Sequence, residues 1–388
     1  MLKSDFHLGD RLVRTVRGPN LLDDAVGLLL DLDADRYVVV TDDTVRRIVG
    51  ARLAEALHRQ APTLLLSQPP GEEHKTLSTL ARHVDAALAF GVTRRSVVVA
   101  AGGGVPGNVA GLLAGLLFRG IRFAHVPTTV IAACDSVLSA KQAVNTTYAK
   151  NTVGLHHVPE MILIDLTVLA GSGRRDLRSG ICETVKNALV LAPRQVPELR
   201  GLLRPASDYD EDELSRVFEL SLEVKGRLLA EDPHERQVGV LLEYGHTVGH
   251  ALELVGATQT RPDGPLRHGE AVALGMLAAA SVARRLGLLD DDTVALHEEL
   301  VARAGVCPCL SAGIDPGTVL HHVEFDNKRG YRHHDRDVVP MVLLEGLGRP
   351  ANHEGRFLTS VPRAVVREAV HDLLRRGKEC RGRCPAGA

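Results

Sequence analysis

The chain has 388 residues, 45% of them hydrophobic and 24% charged, which excludes a disordered protein and makes two folded domains the expectation. A net charge of −2 creates no field for nucleic acid or an acidic membrane surface, and 3% aromatics without Trp leave little to stack on bases, so neither partner is expected. The N-terminal MLKSDFHLGDRLVR is charged and has no apolar h-region, so a cytoplasmic protein is expected rather than a secreted one.

Short β-rich runs alternate with helical spacing through the first half. Tyr37 to Val40 (YVVV), Pro62 to Ser67 (PTLLLS), Ser96 to Ala101 (SVVVAA), Ile121 to Pro127 (IRFAHVP) and Met161 to Asp165 (MILID) read as strands. Leu77 to Phe90 and a segment from about Asn108 read as helices. Unbroken Val, Ile and Leu runs are buried on both faces, and their alternation with helices predicts a parallel sheet. The uncharged run from Ser96 to Phe118 is long enough to span a bilayer, but the glycines and Pro106 in its middle suit a strand, a tight turn and a buried helix instead.

After about Leu169 the pattern turns helical, at Ile181 to Ala192, Glu211 to Leu229, Glu243 to Val255, His268 to Leu286 and Thr293 to Ala304. Val338 to Leu344 is the chief strand-like run there. The expected organisation is an α/β domain over 1–170, a mainly α-helical domain over 171–374 and a disordered basic tail over 375–388. The six cysteines make no disulfide framework and are expected to be reduced.

Gly102 to Gly107 spells G-x-G-x-x-G between a predicted strand and a predicted helix. Such a loop lets backbone approach a pyrophosphate, and the helix start supplies N–H donors. No acid follows between Asn108 and Cys134, so the ribose-binding acid is sought upstream, at Asp42 after the YVVV strand. A turn needed only for packing is an equal alternative for the glycines alone.

Gly245-His246-Thr247-Val248-Gly249-His250 puts two imidazoles four residues apart, on one helix face. His268 opens the next apolar helix, and Glu183 lies upstream on another helical segment. One carboxylate with imidazoles suits Zn²⁺ or Co²⁺ and leaves an open position for substrate oxygens. Taken alone, a histidine pair at this spacing is more often an ordinary core feature than a ligand set. Arg119, Lys141, Lys150, Lys225 and Lys328 add cations for an anionic ester, though each alone also reads as a solvated charge.

In order along the chain, GGGVPGNVAG, PTT, DSVLSAKQAVN, KN, ICETVKN, EYGHTVGHA, RHGEAVALGM and DNKRGY resemble the dehydroquinate synthase-like sugar-phosphate cyclases over about residues 35 to 345. The resemblance implies an enzyme with NAD and one divalent metal ion per subunit, acting on a small sugar phosphate, as a homodimer. It implies Glu183, His246 and His268 as metal ligands. Asp42, Glu73, Lys75, Gly103, Gly104, Gly107, Asn108, Thr128, Thr129, Lys141 and Lys150 would hold NAD. Arg119, Asp135, Lys141, Asn151, Lys186, Lys225, Glu243, His250 and Lys328 would meet the substrate, with Lys141, Glu243 and His250 moving protons.

Three departures narrow the substrate. Dehydroquinate synthases carry Asp at the position of Asn108, Arg at that of Gly239 and Asn at that of Glu243. The family's Arg pairs with a substrate carboxylate. Its loss, with a carboxylate gained at Glu243, disfavours an acidic sugar on charge grounds. A neutral sugar phosphate fits better, and GNVAG, KQAVN, EYGHT and DNKRGY together most resemble the cyclases of aminoglycoside antibiotic biosynthesis, a resemblance that implies carbocyclisation of D-glucose 6-phosphate with phosphate release. Cyclisation of sedoheptulose 7-phosphate, dehydroquinate synthesis and an NAD-dependent polyol dehydrogenase are the alternatives.

Overall fold

A computed structural model describes residues 1–148, 150–257, 264–311, 313–324 and 337–380. The chain forms two compact units, Met1–Ser172 with Tyr209–His234, and Gly173–Asp208 with Glu235–Ala388. The chain's longer helices include α1 (Gly104–Leu116), α2 (Arg174–Leu191), α3 (Glu211–Glu231), α4 (His246–Ala257), α5 (His268–Arg285), α6 (Asp291–Arg303) and α7 (Arg363–Cys380).

The first unit is built on six parallel strands: β1 (Arg11–Gly18), β2 (Tyr37–Asp42), β3 (Thr63–Gln68), β4 (Val97–Gly102), β5 (Arg122–Pro127) and β6 (Met161–Asp165). Their order is β1-β6-β5-β4-β2-β3, and two short strands, Leu2–Lys3 and Phe6–Leu8, pair antiparallel with β1. Alternate residues of each strand face opposite sides. Tyr37, Val39, Val97, Val99 and Ala101 enter one core, while Val38, Val40, Val98 and Ala100 enter another beside Val109, Leu112 and Leu113 of α1. This is why the strands read as unbroken apolar runs. It is also where the uncharged Ser96 to Phe118 stretch goes, and no helix among the described residues is long and apolar enough to cross a membrane.

Strand β1 was not expected, because Arg11, Arg14 and Arg17 break its apolar pattern. Arg17 is nevertheless buried: Nε donates to Ser215 Oγ at 2.8 Å, the guanidinium pairs with Glu219, and it lies 5.5 Å from the Phe218 ring. All three partners belong to α3, so α3 joins the first unit, which a single cut after residue 170 does not provide.

In the second unit α4 and α5 meet backbone to backbone. A Cβ at Gly275 would come within 1.9 Å of the Gly245 carbonyl oxygen, and one at Gly249 within 3.0 Å of Val272 Cα. Likewise a Cβ at Gly269 would lie 1.9 Å from the Ser179 carbonyl oxygen of α2. Overpacking of this kind costs about 1–3 kcal/mol. Gly275→Ala is expected to lower the unfolding free energy by about 3 kcal/mol, read as a lower urea midpoint at an unchanged slope.

Three further expectations change. Glu243 to Val255 is not one helix: a 3-10 turn over Val238–Glu243 is followed by Gly245 at φ +78, and α4 starts at His246. The expected tail from 375 begins later, since α7 continues to Cys380, and 381–388 lie outside the described residues. Cys307 is disulfide-bonded, against the expectation for all six cysteines, whereas Cys134, Cys182 and Cys309 are not.

Burial also creates a pH dependence. His125 on β5 is enclosed, and desolvation lowers its pKa to about 3. Below pH 6.5 the unfolded chain takes up a proton that the folded chain refuses until about pH 3. Stability contributed by this group is therefore present above pH 6.5 and is lost as pH falls, at about 1.4 kcal/mol per unit. Urea unfolding between pH 6.5 and 5 should be steeper in the wild type than in His125→Leu by that slope; equal slopes would contradict the assignment.

Candidate active site

The first unit gathers the expected nucleotide-binding residues at the C-terminal edge of its sheet. Registers of Asp42 with Gln68 and of Gly102 with Pro127 bring Asp42, the glycine loop and Thr128-Thr129 to one edge. Gly102 takes φ +155, and a Cβ there would strike Pro106 Cγ at 2.3 Å. Helix α1 then starts at Gly104, four residues before the expected Asn108, with no side-chain cap on its first N–H groups. These donors, beside Gly103 and Gly104, which carry no side chains, fit a pyrophosphate. A Cβ on Gly107 would meet His125 Cε1 at 3.4 Å, so the enclosed histidine floors this loop. Asp42 Oδ1 already accepts from Thr44 and Val45 N–H at 2.9 Å, which orients the carboxylate.

Other expected cofactor residues are tied into the walls. Asn108 Nδ2 donates to Gly104 O at 2.9 Å and its Oδ1 accepts from Ala143 N at 3.1 Å, linking the loop to the hairpin that Lys141 begins. Lys75 is buried and donates to Asn151 Oδ1 at 2.5 Å, joining the Glu72–His74 turn to the turn holding Lys150 and Asn151. Glu73 is 72% exposed, with its Oε1 3.9 Å from His74 Nε2. Thr129 caps the following short helix through Ala132 N–H, and Thr128 is buried beside it.

Lys225, from α3, is buried and donates to Asp135 Oδ1 at 2.8 Å and to its carbonyl at 2.7 Å. The structure thus joins two expected substrate residues ninety positions apart. Arg119 is not brought to the glycine loop. It lies beyond the far end of α1, about 20 Å along the helix from the loop, in a turn where Phe118, Arg119 and Gly120 all have positive φ.

In the second unit Glu183, His246 and His268 converge, their ligand atoms all within 4.8 Å of one another. Glu183 Oε1 lies 3.7 Å from Nε2 of each histidine. Bonds of about 2.1 Å at tetrahedral angles would separate ligand atoms by about 3.4 Å. Glu183 is fully buried on α2; Lys186 donates to its Oε2 at 2.5 Å, while among the described residues Oε1 accepts no hydrogen bond. An interior anionic oxygen facing two imidazole nitrogens is what a divalent cation would satisfy.

The histidines are oriented for this. His246 Nδ1 lies 3.1 Å from the Tyr244 carbonyl, which only accepts, so the proton is on Nδ1 and the Nε2 lone pair faces Glu183. Burial, and then the Lys186 ammonium, holds His246 well below the ordinary imidazole range, so it is neutral. The His250 ring centroid lies 5.0 Å from that of His246 and 5.8 Å from that of His268. Glu243, with its Oε2 buried, ends the 3-10 turn three residues before His246. Lys328 lies outside the described residues.

Sequence reasoning missed three supports. Tyr244 is fully buried between Glu243 and His246, and its hydroxyl bonds His297 Nε2 of α6 at 2.9 Å, anchoring that short segment. Glu270 accepts from Arg267 N at 3.0 Å and from Arg175 Nε at 2.9 Å, fastening the start of α5 to α2. Glu253 Oε2 lies 3.1 Å from His268 Nδ1. Its place seven residues after His246 and three after His250 put it on their helix face, a signal the spacing already contained.

Residues 65–179 match the 3-dehydroquinate synthase N-terminal family and residues 180–329 the 3-dehydroquinate synthase C-terminal family. A 2-deoxy-scyllo-inosose synthase of Streptoalloteichus tenebrarius is 48% identical over 357 residues, covering 92% of this chain and 91% of that protein. A solved 2-deoxy-scyllo-inosose synthase, complexed with carbaglucose-6-phosphate, NAD⁺ and Co²⁺, superposes with a TM-score of 0.88 at 36% identity, covering 96% of this chain and 100% of that one. A 2-epi-5-epi-valiolone synthase from Streptomyces hygroscopicus subsp. jinggangensis 5008, with NAD⁺ and Zn²⁺ bound, superposes at 0.80 with 26% identity over 95% and 99% of the two chains. With its α/β unit, its helical unit and both family matches, the chain belongs to the 3-dehydroquinate synthase-like sugar-phosphate cyclases, alongside the enzymes named 2-deoxy-scyllo-inosose synthase.

Proposed function

We propose that the enzyme converts D-glucose 6-phosphate to 2-deoxy-scyllo-inosose and inorganic phosphate, with NAD and one Co²⁺ or Zn²⁺. The observation that carries this reading is the Glu183, His246 and His268 cluster with the carboxylate of Glu243 directly preceding it. The relatives' names and the sugar phosphate analogue in the solved neighbour support it, as does Gly239, which supplies no cation for a substrate carboxylate.

Bound NAD would take a hydride from C4 and return it later, and the cation would polarise the C4 hydroxyl. The chain's own residues do the rest. Asp42, the Gly103 to Gly107 loop, Glu73, Lys75, Lys150, Thr128 and Thr129 hold the nucleotide. Asp135, Asn151, Lys186 and Lys225 meet sugar hydroxyls and Lys328 meets phosphate, while Arg119, at the far end of α1, is left out of the site. Once C4 is a ketone the C5 proton is acidic, and its removal expels phosphate from C6. Glu243, His250 and Lys141 carry the proton transfers, through C5 deprotonation, ring opening and closure of the enol on the C1 aldehyde. A cytoplasmic homodimer in aminoglycoside antibiotic biosynthesis completes the reading.

Phosphate release from glucose 6-phosphate, sedoheptulose 7-phosphate and 3-deoxy-arabino-heptulosonate 7-phosphate, each with NAD⁺ and Co²⁺, tests it. Release from glucose 6-phosphate is expected. Release only from either heptulose ester would overturn the substrate, and net NADH from a polyol would replace the cyclase by a dehydrogenase.

A further inference from the structure

The two imidazoles of the metal cluster are held differently. His246 Nδ1 faces a neutral backbone carbonyl, whereas His268 Nδ1 faces the carboxylate of Glu253 at 3.1 Å. Glu253 comes from α4, so it reaches from the helix bearing His246 to the first residue of the helix bearing His268. The His268 side chain is 31% exposed, against 10% for His246, so packing restrains its ring less. Its hydrogen bond therefore has more orienting to do.

Charge gives Glu253 a second effect. Glu183 is the single anionic member of the cluster, and Lys186 at 2.5 Å offsets its charge. A divalent cation there keeps nearly its full charge unless another anion is near. Glu243 supplies one beside His246, and Glu253 supplies another, transmitted through the His268 ring.

We propose that Glu253 is a positioning residue for the metal centre: it fixes the Nδ1–H tautomer of His268, aims Nε2 at Glu183 Oε1, and supplies an anion where Lys186 offsets that of Glu183. It touches neither substrate nor nucleotide. The inference rests on the metal-dependent reading, and its tests separate the two.

Co²⁺ binding to Glu253→Gln and Glu253→Ala, followed by visible absorption, is the first test. Outer carboxylates of this kind are worth about 10–100-fold in metal affinity. Glu253→Ala is expected at the upper end of that range. Glu253→Gln, whose amide oxygen still accepts from Nδ1–H but carries no charge, is expected between Ala and wild type. At saturating Co²⁺ both should recover kcat to within about threefold, because the chemistry is untouched. ¹⁵N-imidazole NMR of the metal-free protein should show His268 as the Nδ1–H tautomer in the wild type and a tautomer mixture in Glu253→Ala.

Unchanged Co²⁺ affinity in Glu253→Ala, or a mixed His268 tautomer in the wild type, would overturn the proposal. Should Glu253→Ala unfold, Glu253→Gln and the wild-type spectrum still decide it. If the wild type binds Co²⁺ but cyclises no sugar phosphate, the proposed function fails while these tests of Glu253 stand.

Discussion

Glu183→Gln is expected to abolish stoichiometric Co²⁺ binding and to lower kcat/KM for phosphate release by at least about 10³-fold, or about 4 kcal/mol of transition-state stabilisation. Glu183 Oε1 is the point shared by both histidines, 3.7 Å from each Nε2, and the cluster contains no second carboxylate. Gln keeps the volume and leaves Lys186 a carbonyl to donate to. Glu183→Ala would also strand a buried ammonium, which costs about 3–5 kcal/mol of stability by itself. Comparing the two by thermal unfolding separates lost chemistry from lost fold. Turnover within tenfold of wild type in a folded Glu183→Gln would remove the cluster from the mechanism.

Glu243→Gln should have the second largest effect, a fall in kcat of about 10²–10⁴-fold with KM and Co²⁺ affinity nearly unchanged. The residue sits at the end of a 3-10 turn whose next residue, Tyr244, is locked through its hydroxyl to His297. The backbone on either side is therefore held, and Gln can replace Glu without moving it. A group that carries a proton loses function when it loses its ionisable oxygen; a group that only shapes the site does not. Stopped-flow measurement of the first reduction of NAD⁺, beside steady-state phosphate release, would locate the affected step. A kcat within about threefold of wild type would reassign Glu243 to substrate shape and charge alone.

The parallel sheet was legible because its central strands are buried on both faces, so Tyr37 to Val40 and Ser96 to Ala101 are written in apolar residues without interruption. The strand Arg11–Gly18 was not, because its buried Arg17 is neutralised by α3, two hundred residues away in the chain, and no local pattern carries that information. The metal cluster was legible only in part. The spacing of His246 and His250 shows a shared helix face, but the approach of Glu183 depends on glycines at 245, 249, 269 and 275 that let α2, α4 and α5 close to backbone contact. The segment around Glu243 misled for a related reason. Its helical spacing is real, yet Gly245 at positive φ breaks the helix so that Glu243 and His246 are presented separately.

The most direct test of the central claim is a label experiment with D-[4-²H]glucose 6-phosphate, Co²⁺ and NAD⁺ at a tenth of the substrate concentration. A cyclase that borrows and returns one hydride should consume all the substrate and release one phosphate per sugar. It should retain deuterium in the carbocyclic product by mass spectrometry, with no lasting absorbance at 340 nm. Loss of the label to NADH, turnover that stops when NAD⁺ is exhausted, or an unreacted sugar phosphate would contradict it.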